Sequence, residues 1–292
     1  MRIQAFGKIN LYLDVLDRRP DGFTNIETIF QTVSLHDTLT FELRDRGLTM
    51  TCSDPALEHG SSNLVLKSAM LLQKRTGCDR GIHVHLDKRI PVAGGMAGGS
   101  VDSAATLRAL NTIWELGLDA AALADCALAL GSDVPYCLSG GTTAASGRGE
   151  ILESLEPLPE SWFVLVQPAL GISAGAVYNH PALTRNTEPR VDGRTLSFRR
   201  AMTQLREGRV AELMFNRMES AIFVMHPELA ELKAHMLVAG CTAAVVSGSG
   251  PTLVGLCEDS ADATAIAMRL HHLHARPVHS SPTSIHIASD SA

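Results

Sequence analysis

The run Gly94-Gly95-Met96-Ala97-Gly98-Gly99-Ser100 has the makings of an anion site. It follows a strand-like segment in which Ile82, Val84 and Leu86 alternate with His83, His85 and Asp87, and it leads into helical spacing at Ala104, Ala105, Leu107, Leu110, Ile113 and Trp114. Glycines let a backbone approach a phosphate closely, consecutive N–H groups point at it, and the dipole of the following helix favours its charge. The chemistry this pattern supports is phosphate binding. A second turn, Ser247-Gly248-Ser249-Gly250, follows a strand-like Ala243 to Val246. Two such loops facing one cleft would hold one polyphosphate between them.

Three common glycine motifs are excluded at these turns. No lysine follows any glycine of the first turn, so it is not a Walker A loop. Gly94 is followed two residues later by Met96 and Gly95 by Ala97, which breaks the dinucleotide fingerprint. Neither turn carries a serine with glycine two positions before and two after, so neither is a hydrolase nucleophile elbow.

The elements that must position these turns follow from periodicity and breakers. Ile9, Leu11, Leu13 and Val15 alternate with Asn10, Tyr12 and Asp14, which predicts a half-buried strand. Arg19-Pro20-Asp21-Gly22 reads as a tight turn, and Ile29 to Leu43 as one or two further strands. A helix is expected from Asn63 to Lys74, another after the glycine turn with Ser100 or Asp102 as its cap, and an alanine-rich one from Asp119 to Gly131. Pro157 and Pro159 precede a strand at Trp162 to Gln167, which places a domain boundary there, dividing the chain into residues 1–158 and 159–292. Thr184 to Arg194 reads as a surface loop, and the tail from Pro277 is expected to fray at its end.

Composition bounds the partners. The chain has 292 residues with 25 Lys and Arg against 31 Asp and Glu, a net charge of −6, the wrong sign for a protein that depends on nucleic-acid phosphates. No nucleic-acid partner is expected. The strongest apolar run, Trp162 to Val166, falls far short of the roughly 18 residues of a membrane span, so neither a membrane nor an export signal is indicated and a cytoplasmic address is expected. The six cysteines include no C-x-x-C pair and read as reduced thiols. His83 and His85, and His271, His272 and His274, read as solvated surface rather than metal ligands.

The segment Pro91-Val92-Ala93-Gly94-Gly95-Met96-Ala97-Gly98-Gly99-Ser100-Val101 together with Asp102-Ser103-Ala104-Ala105 resembles the central phosphate-binding motif of the GHMP kinases. Within that superfamily, Gly7-Lys8-Ile9-Asn10-Leu11, Arg18 to Phe23, Leu130-Gly131-Ser132-Asp133-Val134-Pro135-Tyr136 and Val246 to Thr252 resemble the branch that phosphorylates a methylerythritol unit carrying cytidine diphosphate. The resemblance spans nearly the whole chain. It implies an α+β, two-domain GHMP kinase fold, with an N-terminal domain like domain 2 of ribosomal protein S5 and a ferredoxin-like C-terminal domain. It also implies transfer of the ATP γ-phosphate to the 2-hydroxyl of that substrate, a step of the non-mevalonate isoprenoid route.

The roles of residues follow from the same resemblance. Asp133 matches the catalytic aspartate that accepts the proton, and Lys8 the catalytic lysine beside it; taken alone, Asp133 reads as a turn or cap residue and Lys8 as a solvated charge. The stretch from Pro91 to Val101 would wrap the phosphates of ATP with Mg²⁺ bridging them and Ser100 nearby, and Asn63 would lie on the nucleoside side or cap the helix beginning at Leu64. Phe23 and Tyr178 match two plates that sandwich the cytosine, and Asn10 would touch the substrate.

The pattern is broken in three places. Thr24 stands where the family usually has a histidine that reads the cytosine edge, which keeps open a sister kinase acting on a sugar or an amino-acid alcohol. Ala97 replaces a common glycine and requires a backbone angle that a Cβ tolerates, and Val101 replaces a common serine. A catalytically silent, ligand-sensing member of the fold is a third reading, opposed by the presence of both Lys8 and Asp133.

Overall fold

The polar residues that alternate along the first strand do not face water. In the computed structural model, which describes residues 1–57 and 60–288, β1 (Arg2–Arg18) is buried on both faces from Gly7 to Leu16. The expectation of a half-buried strand is corrected because the C-terminal half of the chain lies over the polar face. There, polar side chains pair two residues apart, Lys8 Nζ with Asn10 Oδ1 at 2.8 Å and the Tyr12 hydroxyl with Asp14 Oδ2 at 3.1 Å.

The Arg19 to Phe23 turn, with Gly22 at φ +86°, leads into β2 (Thr24–Arg44), one long bulged strand that begins earlier than the sequence pattern suggests. Then come β3 (Leu48–Cys52), α1 (Leu64–Thr76), β4 (Gly81–Asp87), α2 (Gly98–Ile113), α3 (Ala120–Leu130), α4 (Val134–Ser139), β5 (Thr142–Ser146) and β6 (Ile151–Ser154). Beyond Pro159 lie β7 (Trp162–Val166), α5 (Ala174–Asn179), β8 (Arg190–Val191), β9 (Arg194–Thr195), α6 (Leu196–Arg206), α7 (Val210–Leu213), β10 (Phe215–Asn216), α8 (Glu219–Met225), α9 (Pro227–Val238), β11 (Ala243–Val246), β12 (Leu253–Cys257), α10 (Ser260–Arg269), β13 (Arg276–His279) and β14 (Ile285–Ala288). The class is α+β.

Two sheets organise these elements. The larger runs β10-β1-β2-β4-β3, with β14 added along β1 and the β5–β6 pair along β2. Its helices α1 and α2 pack against each other, where the Ser68 and Ser103 hydroxyls meet at 2.8 Å. The smaller is the antiparallel order β11-β12-β7-β13, against which α9 and α10 pack. Residues beyond Pro159 therefore build the second sheet, yet they also return to the first through β10 and β14.

One expectation about an irregular region is corrected. The Thr184 to Arg194 stretch is not only loop, because Arg190 and Val191 pair with Thr195 and Arg194 across the Asp192-Gly193 turn. The tail from Pro277 is ordered into β13 and β14, with Ile285 to Ala288 pairing antiparallel with Ala5 to Arg2 and so satisfying their backbone groups. The end of the tail, where fraying is expected, lies outside the described residues. All six cysteines are free thiols.

Asp14, fully buried, ties the two halves together. Its carboxylate accepts hydrogen bonds from the Arg217 guanidinium, from Asn186 Nδ2 at 2.7 Å, from the Tyr12 hydroxyl and from the Val15 N–H at 2.8 Å. Burial and the adjacent Asp14 charge push the Tyr12 phenol well above its ordinary range. Removing a carboxylate with this many donors leaves several buried polar groups unpaired, so Asp14→Ala is expected to lose at least about 3 kcal/mol of stability in urea denaturation.

Candidate active site

Lys8 is only 5% exposed, so its charge needs partners other than water. The strand direction of β1 and the pairing of Lys8 with Thr32 and Asn10 with Phe30 on β2 set it beside the Phe30 ring, with Nζ 4.9 Å from the ring centre. Asn10 receives the ammonium on Oδ1, and its own amide is oriented by donating from Nδ2 to Thr28 Oγ1 at 2.8 Å. The Thr28 hydroxyl in turn donates to the Tyr12 carbonyl at 2.6 Å. Nζ then lies 3.7 Å from Asp133 Oδ2. Asp133 precedes α4 and its side chain makes no cap bond, so the cap reading does not hold and the carboxylate faces the lysine. With the Asp133 side chain 35% exposed, the pair opens into a cavity of about 170 Å³ that Tyr178, Arg148, Gly248 and Ser249 also line.

The first glycine turn forms the wall of this cavity and of a second one. Gly94 to Ser100, apart from Met96, line a cavity of about 440 Å³ with Pro91, Val92, Asn63, Lys88 and Asp102. Gly95 and Ala97 line both. Helix α2 starts at Gly98, with Ala97 as its cap residue in the left-handed region at φ +56° and no side-chain cap bond. This corrects the expectation that Ser100 or Asp102 caps the helix, since both lie inside it. It also corrects the expectation for Ala97, whose φ is one that a Cβ disfavours. Val101 is fully buried in the core and Met96 nearly so, and neither lines this cavity. Asn63 caps α1 by accepting from the Val65 N–H at 2.9 Å while also lining the cavity. Burial and the neighbouring Asp37 carboxylate, against the pull of Lys88, push the Asp102 carboxyl up to about 7.

The second glycine turn does not stand across a gap from the first. A Cβ on Gly95 would fall 2.1 Å from the Ser247 carbonyl oxygen, and Ser247 Oγ donates to the Gly95 carbonyl at 3.0 Å. The two loops touch and also line one cavity, that of Lys8 and Asp133, through Gly95 and Ala97 of the first and Gly248 and Ser249 of the second; Ser247 buttresses the first loop, and Gly250 is buried. Asn216 holds the second loop through two 2.7 Å bonds to the Val246 and Gly248 carbonyls.

A third cavity, of about 360 Å³, brings together Phe23, Thr24, Arg148 and Tyr178. Phe23 is half exposed, with the Arg148 guanidinium 4.5 Å from its ring centre. Tyr178 is held through Arg185, which donates to the Tyr178 carbonyl at 3.2 Å and to the Leu16 carbonyl of β1 at 3.0 Å. Burial pushes the Tyr178 phenol well up. Arg148 escapes the motif reading although it lines both this cavity and that of Lys8 and Asp133; its signal is a cation set between Gly147 and Gly149, both at positive φ, in the β5–β6 turn.

A lysine–carboxylate pair opening beside a glycine-rich loop at a helix start is an arrangement that can deprotonate an alcohol and stabilise a phosphoryl group. The model of the GHMP kinases N terminal domain matches residues 63–141, and that of the GHMP kinases C terminal domain matches residues 197–273. The chain is 41% identical over 281 residues to the 4-diphosphocytidyl-2-C-methyl-D-erythritol kinase of Moorella thermoacetica, covering 94% of this chain and 96% of that protein. It is 40% identical over 271 residues to the protein of the same name from Gloeobacter violaceus, covering 91% of this chain and 88% of that one. This chain belongs to the GHMP kinases. A crystal structure of 4-(cytidine 5'-diphospho)-2C-methyl-D-erythritol kinase superposes with a TM-score of 0.82 at 32% identity, covering 96% of this chain and 99% of the other. Homoserine kinase from Cytophaga hutchinsonii superposes with a TM-score of 0.74 at 17% identity, over 99% of this chain and 97% of that one, a likeness of fold. As a member of this family the chain is a small-molecule kinase with the two-domain GHMP fold. Among the described residues, no helix is long and apolar enough to cross a membrane.

Ala97 supplies a test of the loop geometry. In an ordinary helix Ala→Gly loses about 1 kcal/mol, but a left-handed φ reverses the balance, so Ala97→Gly is expected to leave stability unchanged or to raise it by up to about 1 kcal/mol in urea denaturation.

Proposed function

We propose that this chain transfers the γ-phosphate of ATP to the 2-hydroxyl of 4-diphosphocytidyl-2-C-methyl-D-erythritol, a step of the non-mevalonate isoprenoid route. The observation that carries the reading is the order of three cavities with shared walls. The glycine-loop cavity meets that of Lys8 and Asp133 through Gly95 and Ala97, and the latter meets that of Phe23 through Arg148 and Tyr178. Donor phosphates, reacting hydroxyl and nucleobase each have a place in that sequence. Residues 1–158 carry the donor loop and the Lys8–Asp133 pair, and residues 159–292 close the acceptor side with Tyr178, Gly248 and Ser249.

In this reading Asp133 Oδ2 accepts the proton of the attacking hydroxyl, and the Lys8 ammonium stabilises the charge that develops between them. Asn10 acts mainly by holding Lys8, since its Oδ1 is already engaged. The main-chain N–H groups at the start of α2 receive the donor phosphates. Phe23 and Tyr178 take the cytosine, Thr24 offers its hydroxyl to the base edge, and Arg148 faces the substrate diphosphate. Among the described residues no group of three or more His, Cys, Asp or Glu gathers to hold a metal. Magnesium therefore fits as an ion carried mainly on the phosphates, with the Ser100 hydroxyl as the protein's contribution, and it would neutralise phosphate charge there.

Two measurements check these roles. Asp133→Ala should bind ATP within about threefold of the parent yet lose about 10²- to 10⁴-fold in turnover; near-parental turnover would identify another base. Arg148→Ala should raise the KM for the cytidyl substrate about 10- to 100-fold with the KM for ATP little changed, and an unchanged cytidyl KM would remove Arg148 from acceptor binding.

A further inference from the structure

Beneath the glycine loop lies a buried cluster that the reaction described above leaves unused. Lys88 follows β4, and its side chain is 5% exposed. Its Nζ lies 2.5 Å from Asp37 Oδ2 on β2 and 2.9 Å from Asp102 Oδ2 in α2. Asp37 Oδ1 accepts the N–H groups of Arg89 and Ile90 at 2.5 and 2.8 Å, so the strand end that leads into the loop is fixed to β2. Asp102 Oδ1 is buried with no hydrogen-bond partner. An unsatisfied buried oxygen costs stability, which asks for a compensating role. Both Lys88 and Asp102 line the glycine-loop cavity.

The ammonium is committed to two carboxylates, so its positive charge does not serve as a phosphate ligand. What it does is mechanical. Nζ sits 2.8 Å from where a Cβ on Gly98 would be, directly against the first residue of α2. Val101 is the first N–H of the helix to bond back, to the Ala97 carbonyl at 2.9 Å. The N–H groups of Gly98, Gly99 and Ser100 are thus the ones left for an anion, and their direction depends on how the first turn is seated.

We propose that Lys88 and Asp102 are positioning residues for phosphoryl transfer: their ion pair seats the first turn of α2 against the β2–β4 edge, so that the N–H groups of residues 98–100 converge on the donor phosphates. This rests on reading the glycine-loop cavity as the donor site. A misplacement on the order of 1 Å at such a site costs about a hundredfold in rate.

Asp102→Ala severs the clamp while leaving the Lys88–Asp37 pair intact, and Asp102→Asn keeps an oxygen for Lys88. Calorimetric titration with ATP and with adenosine separates seating of the loop from general loosening. Asp102→Ala should weaken ATP binding about tenfold or more while adenosine stays within about twofold, and Asp102→Asn should recover most of the loss. Equal losses for ATP and adenosine, or no difference between the alanine and asparagine variants, would overturn the proposal. Gly99→Glu, which puts a carboxylate into the donor cavity, checks the underlying reading. If it abolishes ATP binding while Asp102→Ala changes nothing, the clamp alone is wrong; if neither changes ATP binding, the donor site is misplaced and the proposal goes with it.

Discussion

A lysine ammonium removed from water has to be surrounded by groups that take over its hydration, and most of the architecture around Lys8 serves that need. Asn10, the face of Phe30 and the Asp133 carboxylate do so here. Each comes from a different part of the chain, so the charge is tolerable only when β1, β2 and the start of α4 are assembled. The same arrangement leaves one side of the pair open, toward the glycine loop and the Phe23–Tyr178 cavity. The pair is not sealed in the core, because the Asp133 side chain stays about a third exposed.

The second constraint is the contact between the two glycine turns. Only a residue without a Cβ fits at Gly95, because the Ser247 carbonyl occupies the space where one would be. The contact joins the loop after β4 to the loop after β11, and Asn216 and Asp14 continue the same seam. The halves of the chain are thus joined by polar contacts and backbone approach around the site, and the cavities lie along that joint. Both glycine and non-glycine residues take left-handed angles in the first loop, with Ala93 and Ala97 at φ +54° and +56°. Backbone strain of this kind collects at functional loops, where the surrounding contacts hold it.

Much of this was legible beforehand. The strand–glycine–helix order is there as β4, the turn from Gly94 and α2, and the joint occurrence of the Lys8 and Asp133 segments carried the family. The cap at Asn63 and the extent of α3, from Asp119 to Gly131, followed from local rules, because capping involves residues only two or three apart. Two expectations failed for one common reason, that they assigned a role from neighbours in sequence. Asp102 reads locally as a cap but pairs with Lys88, and the alternation of β1 reads as a solvated face but is covered by a later part of the chain. Arg148 was invisible because its importance lies in which two cavities it borders.

The amino-acid sequence by itself determined the class of chemistry and the local elements, since a run of glycines before a helix, a breaker-rich turn and a 3.6 or 2 residue period each act over a few residues. The tertiary structure decided which charges meet. Whether Lys8 finds Asp133 or solvent, and whether Asp102 caps a helix or anchors it, depends on burial and on distances of a few ångströms between segments far apart in the chain. Electrostatic interactions change several-fold between water and a protein interior, so the fold, which sets that environment, sets the role.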